Sequence, residues 1–439
     1  MTYEEALNFI YSRRKFAKSS GFERISALLQ KLDNPQNDLK FIHVAGTNGK
    51  GSVSTAVSSI LTAAGLKTGL FTSPFVTTFR ERIQTDAKYI DKESFCKITK
   101  RISDACEDLS KNGICPTFFE TVLAAALVYF KESGCDIAVL EAGIGGKDDS
   151  TNIIPPPLAA VITSVSFDHV DVLGNTLFEI SSAKCGIIKD GSFVISFPDE
   201  NAGLDFVPQQ KESLNVIENT CKQKDCSLFV PDMSAVSDIN RTLSKTEFIY
   251  DSLPLSINFS GDHQIANAAV SYEVIKALRK KGFNITDEQI KTGFKNAFIP
   301  ARMEVFEGNP TTVLDGGHNV GCVKALCAFL NQNFKGKKIT AVLSFMKDKD
   351  YETAIKLISP LCENIVFTLA DEKRGQSPKV LSKCAKGLCK NIFSDENILS
   401  AFEKAKSISP PDSIIVCAGS FYSVSEIRKF LTADGIRQK

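Results

Sequence analysis

The stretch Phe41-Ile-His-Val-Ala-Gly-Thr-Asn-Gly-Lys-Gly-Ser52 decides the fold of the first part of this chain. It joins a mostly apolar run, typical of a buried strand, to a loop with three glycines and one lysine. Glycines let backbone N–H groups turn toward an anion, and a helix that begins near Ser52 would point its positive end at the same place. The stretch therefore predicts a strand, a phosphate-binding loop and a helix, and it favours ATP as the ligand.

The strict phosphate-loop pattern is not met. It would require Gly at position 44 and Ser or Thr at position 51, where this chain has Val44 and Gly51. A tight turn between a strand and a helix, without any ligand, is the alternative interpretation. The presence of Lys50 between Gly49 and Gly51 favours nucleotide binding over that alternative.

The composition is that of an ordinary soluble enzyme. The chain has 439 residues, 43% hydrophobic and 23% charged, with a formal net charge of +1. This length predicts two domains or three, and the charge gives no reason to expect binding to nucleic acid or to a membrane. The sequence contains no signal-like segment and no run of about 18 apolar residues. We therefore expect a cytoplasmic protein whose partners are small molecules.

Cysteine usage points in the same direction. Thirteen cysteines are present, but none stands in a C-x-x-C pair, and they are scattered over apolar segments. This pattern favours reduced, mostly buried thiols over disulfides or a zinc site.

Apolar runs that indicate strands alternate with helical patterns along most of the chain, which predicts an α/β fold with a parallel sheet. The predicted strands of the first part are 41–45, 68–72, 136–141, 158–163 and 193–196. Residues 200–255 are less periodic and are expected to form peripheral strands and loops. The pattern then restarts, with predicted strands at 311–315, 338–344, 364–368 and 413–417. A boundary near 295–300 follows, which divides the chain into domains 1–297 and 298–439.

Polar clusters stand directly after several of these strands. They are Glu141-Ala-Gly-Ile-Gly-Gly146, Asp168-His169 and Asp315-Gly-Gly-His-Asn319. Ligands of open α/β sheets bind at the carboxyl ends of the strands. The sequence therefore predicts one active site between the two domains.

Three of the side chains at strand ends form a candidate magnesium site. Glu141 ends a predicted strand, and Ser73 and His169 each follow another. Carboxylate oxygen is a preferred ligand of Mg²⁺, whereas imidazole nitrogen is an unusual one. Ordinary turn roles for Ser73, which precedes Pro74, and for His169 are the alternatives.

A predicted helix starts with a capping box, Thr176-Leu-Phe-Glu179, and carries an apolar stripe of Leu177, Ile180, Ile187 and Ile188. Lys184 lies on this stripe. A lysine on a core face must extend its amine to solvent, find a partner or lose its charge. A neutral amine can react with carbon dioxide to give a carbamate, which would be an acidic ligand for a metal or a water molecule. The spacing alone favours extension to solvent.

Five residues between positions 263 and 318 are candidates for nucleotide contacts. His263 and Asn267 stand four apart on one predicted helix face, where they would either meet an adenine edge or cap the helix. Arg302 follows the domain boundary and would reach phosphates, unless it stays at the surface. Asp315 ends a strand, where its carboxylate would accept hydrogen bonds from ribose hydroxyls, and His318 follows it.

These motifs, taken together, resemble those of the folylpolyglutamate synthase and dihydrofolate synthase family, which belongs with the Mur-type amide ligases. The similarity extends over nearly all of residues 11–430. The matching motifs in chain order are Asn34-Pro-Gln36, His43-Val-Ala-Gly-Thr-Asn-Gly-Lys-Gly-Ser52, Thr72-Ser-Pro-Phe75, Glu81-Arg-Ile83, Thr117-Phe-Phe-Glu120, Asp149-Ser-Thr-Asn152, Asp168-His169, Ala183-Lys-Cys-Gly-Ile187, His263-Gln264 with Asn267, Asp315-Gly-Gly-His-Asn319, Asp348-Lys-Asp350 and Gly419-Ser-Phe-Tyr422. The resemblance implies a central parallel-sheet P-loop ATPase domain, like the Mur ligase middle domain, followed by a smaller Rossmann-like α/β domain.

An activity is implied by the same resemblance. It is the ATP-dependent addition of L-glutamate to reduced folates through an acyl phosphate, with synthesis of dihydrofolate from dihydropteroate as a second activity. The implied ATP-binding residues are Gly49, Lys50, Gly51, Ser52, Asn267, Arg302 and Asp315. The implied ligands of magnesium, expected as two ions, are Ser73, Glu141 and His169.

Further roles are implied for the catalytic and folate sites. Lys184 matches a lysine that becomes carbamoylated, and Lys50, Lys184 and His318 are the implied catalytic residues. The implied folate-binding residues are Phe75, Arg82, Thr117, Phe118, Phe119, Glu120, Asp148, Asp149 and Ser150.

Asp148 departs from the family pattern, since members that also make dihydrofolate often carry leucine there. An acidic group would alter the pterin pocket, so we expect polyglutamylation of reduced folates as the main activity. A ligase of muramyl peptides is an alternative, against which the folate-type segments 72–83 and 117–120 argue. A nucleotide-binding protein without ligase activity is another. The resemblance also implies a monomer.

Overall fold

The computed structural model describes residues 1–15, 21–198 and 211–433. Its first half is built on an eight-stranded sheet with the order β4-β3-β2-β5-β1-β6-β7-β8. The strands are β1 Phe41–Ala45, β2 Thr68–Phe71, β3 Ile83–Thr85, β4 Lys88–Tyr89, β5 Ile137–Glu141, β6 Ala159–Ile162, β7 Phe193–Ser196 and β8 Ser227–Phe229. Strands β2, β5, β1, β6, β7 and β8 pair in parallel, and β3 and β4 add an antiparallel edge.

Helices cover both faces of this sheet. They are α1 Tyr3–Tyr11, α2 Glu23–Lys31, α3 Lys50–Ala63, α4 Lys92–Ser110, α5 Phe118–Glu132, α6 Val170–Leu173, α7 Leu177–Cys185, α8 Lys211–Gln223, α9 Asp262–Lys280 and α10 Asp287–Asn296. In the central strand β1, Ile42 and Val44 pack in a cluster with α3, α9 and α10, whereas Phe41 packs on the other face with α1, α2, α4 and α5. This alternation follows from the two-residue period of a strand, and burial of both faces explains why β1 is apolar except for His43, which is itself buried.

Two helices differ from the prediction. The helix of the phosphate-binding loop begins at Lys50 instead of near Ser52. The capping box of Thr176 and Glu179 is present, but α7 ends at Cys185, so Ile187 and Ile188 lie beyond the helix to which their spacing assigned them.

A small three-stranded antiparallel sheet, β11-β10-β9, follows in the chain. Its strands are β9 Val236–Arg241, β10 Thr246–Tyr250 and β11 Leu253–Ile257. The prediction of peripheral strands in 200–255 is therefore confirmed for this part, and residues 200–210 lie outside the described residues. The prediction missed α8, although its buried residues Val216, Ile217 and Cys221 have the spacing of a helix.

The second half is built on a six-stranded sheet with the order β12-β13-β17-β14-β15-β16. Its strands are β12 Glu304–Phe306, β13 Thr311–Asp315, β14 Ile339–Leu343, β15 Asn364–Phe367, β16 Asn391–Ser394 and β17 Ile414–Ala418. Its helices are α11 Val320–Asn333, α12 Tyr351–Ile358, α13 Pro378–Cys384, α14 Ile398–Ile408 and α15 Phe421–Ala433. Only β12 runs antiparallel to its neighbour among the described strands of this sheet.

The connection between the halves runs from the end of α10 at Asn296 to the start of β12 at Glu304. The predicted boundary between residues 297 and 298 falls inside this connection and remains a prediction about domains. The halves are in direct contact, since Val76 of the first half is buried in an apolar cluster of the second. No helix in the described part of the chain is long and apolar enough to cross a membrane, and all thirteen cysteines are free.

Candidate active site

One large cavity, with a volume of about 830 Å³, lies between the two main sheets. The ends of β1, β5 and β13 lead into it, which places the polar clusters of the sequence around one space. Its lining includes Gly49, Lys50, Gly51, Ser52, Ser73, Glu141, His169, Lys184, Asn267, Arg302, Asp315 and His318. All the residues predicted to bind nucleotide or metal, and the predicted catalytic residues, therefore face the same cavity.

The phosphate-binding loop requires glycine at two positions for steric and conformational reasons. Gly46 has φ +153° and Gly49 has φ +87°, values that side-chain-bearing residues rarely adopt. A Cβ atom at Gly46 would lie 1.8 Å from Oγ1 of Thr163, and one at Gly49 would lie 2.4 Å from Oδ1 of Asn267. The loop therefore passes close to two neighbouring segments, and any side chain at either glycine would push it out of place.

Lys50 bends back over this loop. Its Nζ donates hydrogen bonds to the carbonyl oxygens of Gly46 and Thr47, each at 3.0 Å. The lysine charge is thus held at the centre of the loop, where the phosphates of a nucleotide would meet it.

The Lys184 side chain enters the site from α7 and does not extend to solvent. Its relative exposure is 3%, and its Nζ donates to the carbonyl oxygen of Gly46 at 2.8 Å. Burial, together with the nearby charge of Lys50, lowers the pKa of Lys184 to about 7. The favoured interpretation from spacing, a lysine extended to solvent, is therefore wrong. A pKa of about 7 also means that the amine is neutral, and so reactive, in a large share of molecules near neutral pH.

The three predicted magnesium ligands lie beside the loop. Ser73 donates its backbone N–H to Oε2 of Glu141 at 3.0 Å, so these two residues are in contact. Burial raises the pKa of Glu141, while the charge of Lys50 opposes that shift. His169 has a left-handed backbone with φ 50°, and burial lowers the pKa of its imidazole, which favours the neutral form that binds metals.

The donor set of this region is small. Among the described residues, no group of three or more His, Cys, Asp or Glu side chains is placed to hold a metal ion. The predicted set contributes only one carboxylate and one imidazole of these types, with the hydroxyl of Ser73 as a third ligand. Mg²⁺ usually keeps several waters and binds phosphate oxygens through few protein ligands, so these residues fit magnesium in the presence of a nucleotide.

The helix α9 contributes a buried polar edge. Asn267 donates to Oε1 of Gln264 at 3.0 Å, whereas its own Oδ1 is buried without a partner next to Gly49. Burial lowers the pKa of His263 to about 4, so its imidazole is neutral at pH 7. Neutral imidazole and amide groups have the donors and acceptors that a purine edge requires.

Arg302, Asp315 and His318 approach from the second half. The guanidinium of Arg302 lies over the ring of Phe421, 4.9 Å from its centroid. The carboxylate of Asp315 accepts from the backbone N–H groups of Met303 at 3.0 Å and Gly317 at 2.7 Å, and its burial raises its pKa. Burial lowers the pKa of His318 to about 4, so at pH 7 this residue offers a hydrogen bond and not a positive charge.

One wall of the cavity is aromatic and carries a single cation. Phe75, Phe118 and Phe119 line it together with Arg82, whose guanidinium lies 5.3 Å from the ring centroid of Phe75 and 5.6 Å from that of Phe118. Arg82 has 8% relative exposure, and burial lowers its pKa only to about 10, so it stays charged. Such a wall suits a flat ring system with an attached carboxylate.

The other predicted folate-binding residues do not line this cavity, and they are Thr117, Glu120, Asp148, Asp149 and Ser150. The Glu120 carboxylate completes a capping box with Thr117 and an ion pair of 3.1 Å with Arg24. Asp149 accepts from the backbone N–H of Ile144 at 2.8 Å, and Asp148 is exposed and does not line the cavity. Glu120 therefore holds the start of α5, next to Phe118 and Phe119, and Asp149 holds the loop after β5.

Two contacts between the halves were not predicted. Lys349 forms an ion pair of 2.7 Å with Asp168, and Asn319 donates to Oδ1 of Asn48 in the phosphate-binding loop at 2.9 Å. Burial acts to raise the pKa of Asp168, but the charges of His169 and Lys349 outweigh it and hold that pKa below its usual range. Asp168 and Lys349 both stand in quoted motifs, yet sequence spacing gives no sign that residues so far apart in the chain meet.

Comparison with known proteins gives a consistent result over the whole chain. The Mur ligase middle domain matches residues 44–275, and the Mur ligase glutamate ligase domain matches residues 301–421. The dihydrofolate synthase/folylpolyglutamate synthase of Bacillus subtilis is 32% identical over 432 residues, which are 98% of this chain and 99% of that protein.

Solved structures show the same similarity. The crystal structure of folylpolyglutamate synthase from Thermotoga maritima superimposes with a TM-score of 0.82 at 32% identity, covering 99% of this chain and 98% of that one. Folylpolyglutamate synthase of Mycobacterium tuberculosis, solved in complex with ADP and AMPPCP, superimposes with a TM-score of 0.86 at 26% identity and 98% coverage of both chains.

Proposed function

Because this chain belongs to the folylpolyglutamate synthase and dihydrofolate synthase family of Mur ligases, we propose that it joins L-glutamate to a folate at the expense of ATP. The substrates of the proposed reaction are a reduced folate such as tetrahydrofolate, or dihydropteroate, together with Mg²⁺-ATP and L-glutamate. The product is the amide between the substrate carboxylate and the amine of glutamate. Membership in this family makes the chain an ATP-dependent ligase, so a nucleotide-binding role without ligation is set aside.

The observation that carries the proposal is the content of the cavity of about 830 Å³ between the two main sheets. It brings together a phosphate-binding loop, a buried lysine and an aromatic wall with one arginine. The first would bind ATP, and the wall of Phe75, Phe118 and Arg82 would hold a pterin ring and its carboxylate. A muramyl peptide has no flat ring system for this wall, so the wall favours a folate.

The chemistry requires an activated carboxylate, because a carboxylate at neutral pH is a poor electrophile. Transfer of the γ-phosphoryl group of ATP to the folate carboxylate gives an acyl phosphate, which the amine of glutamate attacks with release of phosphate. Lys50 would bind the charge of the moving phosphoryl group, and neutral His318 would donate a hydrogen bond to it. Arg302, which enters from the second half, would clamp the nucleotide phosphates.

We assign a magnesium site to Ser73, Glu141 and His169, which lie beside the phosphate-binding loop. Bound Mg²⁺ supplies positive charge to phosphate oxygens during phosphoryl transfer. The three residues would orient the nucleotide and hold its phosphates in line with the folate carboxylate. The proposal includes two magnesium ions, the second of which would be held through a carbamate on Lys184.

Carbamoylation of Lys184 is supported by the burial of its amine and by its lowered pKa. A lysine that is neutral at pH 7 to 8 is nucleophilic toward carbon dioxide, and the product is an anion. This anion would be stabilised by Lys50 nearby, which disfavours the protonated amine for the same electrostatic reason. We further propose that the protein acts as a cytoplasmic monomer without nucleic-acid partners.

The test is analysis of product masses after incubation with Mg²⁺-ATP and L-glutamate, in parallel with tetrahydrofolate and with dihydropteroate. Glutamylated product with either substrate supports the proposal, and the absence of product with both contradicts it. The preference for tetrahydrofolate that we expect from the sequence depended on Asp148, and this residue does not reach the cavity. Products in both incubations are therefore compatible with the geometry of the site.

A further inference from the structure

Arg428 lies on α15 and joins the two halves of the molecule without lining the cavity. Its Nε donates to Oε2 of Glu304 at 2.8 Å, and its Nη2 donates to Oε1 of the same carboxylate at 3.0 Å. Its remaining terminal nitrogen, Nη1, donates to Oγ1 of Thr77 in the first half at 2.8 Å. The relative exposure of Arg428 is 9% and that of Glu304 is 7%, so this is a buried, bidentate ion pair with a third contact across the domains.

The Glu304 carboxylate also holds the connection between the domains. Its Oε2 accepts the backbone N–H of Ala301 at 2.8 Å. Ala301 and Met303 both have left-handed backbones, with φ 55° and φ 48°, and they flank Arg302. Such conformations persist in residues with side chains only where the surroundings hold them. Glu304 thus fixes the turn that aims Arg302 into the cavity.

Thr77 belongs to a second held segment. The Glu81 carboxylate accepts the backbone N–H groups of Val76 at 2.7 Å, Thr77 at 2.8 Å and Thr78 at 2.7 Å, which makes the loop after β2 one rigid unit. Ser73 to Val76 of this loop line the cavity, and the side chain of Val76 is buried in the core of the second half. Arg428 therefore meets the loop next to its anchoring point.

Helix α15 forms a third wall of the cavity, beside the turn that carries Arg302 and the loop after β2. Phe421, Tyr422, Ser425 and Lys429 of this helix line the cavity, and Arg428, three residues after Ser425, lies at the edge of this helix face without lining the cavity. A shift of Arg428 would move this helix relative to the loop after β2 and to the interdomain turn.

We propose that Arg428 is a positioning residue that sets the relative placement of three walls of the active site. It ties α15 to the turn that carries Arg302 through Glu304, and to the loop that carries Ser73 and Phe75 through Thr77. The inference deepens the proposed function, on which its kinetic test depends. An arginine is required, because three different guanidinium nitrogens make these contacts, whereas the donors of lysine share one nitrogen and lack the planar fork that pairs with both carboxylate oxygens.

The kinetic test compares Arg428→Lys, Thr77→Val and the double variant in glutamate ligation to tetrahydrofolate. We expect kcat/KM for the folate to fall at least tenfold in Arg428→Lys and at least threefold in Thr77→Val. The double variant should be no worse than Arg428→Lys, because both changes break the same contact. Arg279→Lys is the matched control, since that arginine pairs with Asp287 within one half of the molecule, and its kcat/KM should stay within twofold of the wild type.

Multiplication of the two single losses in the double variant would overturn the proposal, as would equal losses in Arg428→Lys and Arg279→Lys. A loss of kcat that matches only the fraction of unfolded protein, with every KM unchanged, would also overturn it.

Hydrogen–deuterium exchange tests the same inference without any activity. Arg428→Lys should accelerate exchange in peptides that cover 74–79 and 301–303, and Thr77→Val should accelerate it only in 74–79. Unchanged exchange in both peptides of Arg428→Lys would overturn the proposal. If the wild-type protein makes no ligation product, the proposed function is contradicted but the positioning role of Arg428 is not. The exchange experiment still tests that role by itself.

Discussion

The chemistry of single residues in this site is set mainly by burial. Lys184 has 3% relative exposure, and burial lowers the pKa of its amine to about 7. An exposed lysine, with a pKa of about 10.4, would be almost entirely protonated at neutral pH. The buried amine is therefore neutral in a much larger share of molecules, and this share increases as the pH rises through 7.

A carbamate on Lys184 should consequently form in a pH window below that of ordinary lysines. The amine is protonated below its pKa and cannot attack carbon dioxide, so we expect the carbamate signal to grow between pH 6 and pH 8. Carbon-13 NMR of the protein with labelled bicarbonate measures it. Lys184→Arg is the control and should lack the signal; a signal that is absent at pH 8, or that persists in this variant, would refute the assignment.

Lys50 should be required for both ATP hydrolysis and ligation. Its amine lies over the loop between Gly46 and Thr47, and Lys50 is the only lysine among the predicted ATP-binding residues. We expect Lys50→Ala to lower both rates by about a hundredfold or more, the range seen when one charge-stabilising group is removed. Steady-state assays of phosphate release and of product formation check this, and retained ATP hydrolysis would contradict the role.

At the scale of elements, the close approach of two helices holds the phosphate-binding helix in place. In α10, Gly293 lies so near α3 that a Cβ atom there would be 2.3 Å from Cα of Ile60. The hydroxyl of Ser59 on α3 also donates to the carbonyl oxygen of Gly293 at 2.7 Å. The two helices are in backbone-to-backbone contact here. A side chain at position 293 would therefore displace α3, whose first residue is Lys50.

Gly293→Ala should therefore destabilise the fold by about 2 to 3 kcal/mol, as overpacking of a tight core contact does. Gly51→Ala is a matched change in α3, where the nearest atom to a Cβ is a Glu141 oxygen at 3.8 Å. That variant should be as stable as the wild type or more stable by about 0.5 kcal/mol, because alanine favours a helix. Urea unfolding of both variants measures the difference, and equal stabilities would disprove the packing argument.

At the scale of the whole molecule, the site exists only while the halves are in contact. Asn319 caps α11 through its Oδ1, which accepts the N–H of Cys322 at 3.0 Å, and its Nδ2 donates to Asn48 across the interface. The same Nδ2 lies 3.4 Å from Oδ2 of Asp168. One side chain thus joins the start of a helix in the second half to the phosphate-binding loop of the first.

Substitution at Asn319 separates the cap from the contact across the interface. Asn319→Asp keeps an oxygen for the cap but replaces the donor with a second oxygen, which would repel Asn48 Oδ1 and Asp168. We expect kcat to fall about tenfold or more, because a hydrogen bond to a charged group typically contributes about 1.5 to 3 kcal/mol. The melting temperature should change little, because the helix cap is kept. Kinetics and thermal unfolding test this prediction.

The control is Asn319→Ser, which keeps a capping oxygen and removes the donor without adding charge. Its loss of kcat should be smaller than that of Asn319→Asp. Wild-type activity in both variants would show that the active site does not depend on this contact.

Local patterns in the sequence determined the strands and the phosphate-binding loop. Strands β1, β7 and β13 match their predicted bounds, because a short apolar run between turn residues has few other conformations in a folded chain. The loop followed from Gly46 and Gly49, whose positive φ values only glycine adopts without strain. The prediction of one site at strand ends rested on a rule about sheets that holds whatever the packing details are.

Tertiary structure alone decided the burial of Lys184, the pairing of Lys349 with Asp168, and which of the predicted folate-binding residues face the cavity. Periodicity places a residue on a face of its own element, but it does not say what covers that face. Asp149 and Phe119 stand in equally specific motifs, yet only Phe119 reaches the cavity. The physical reason is that burial, and the pKa shifts and ion pairs that follow from it, depend on contacts between segments far apart in the chain.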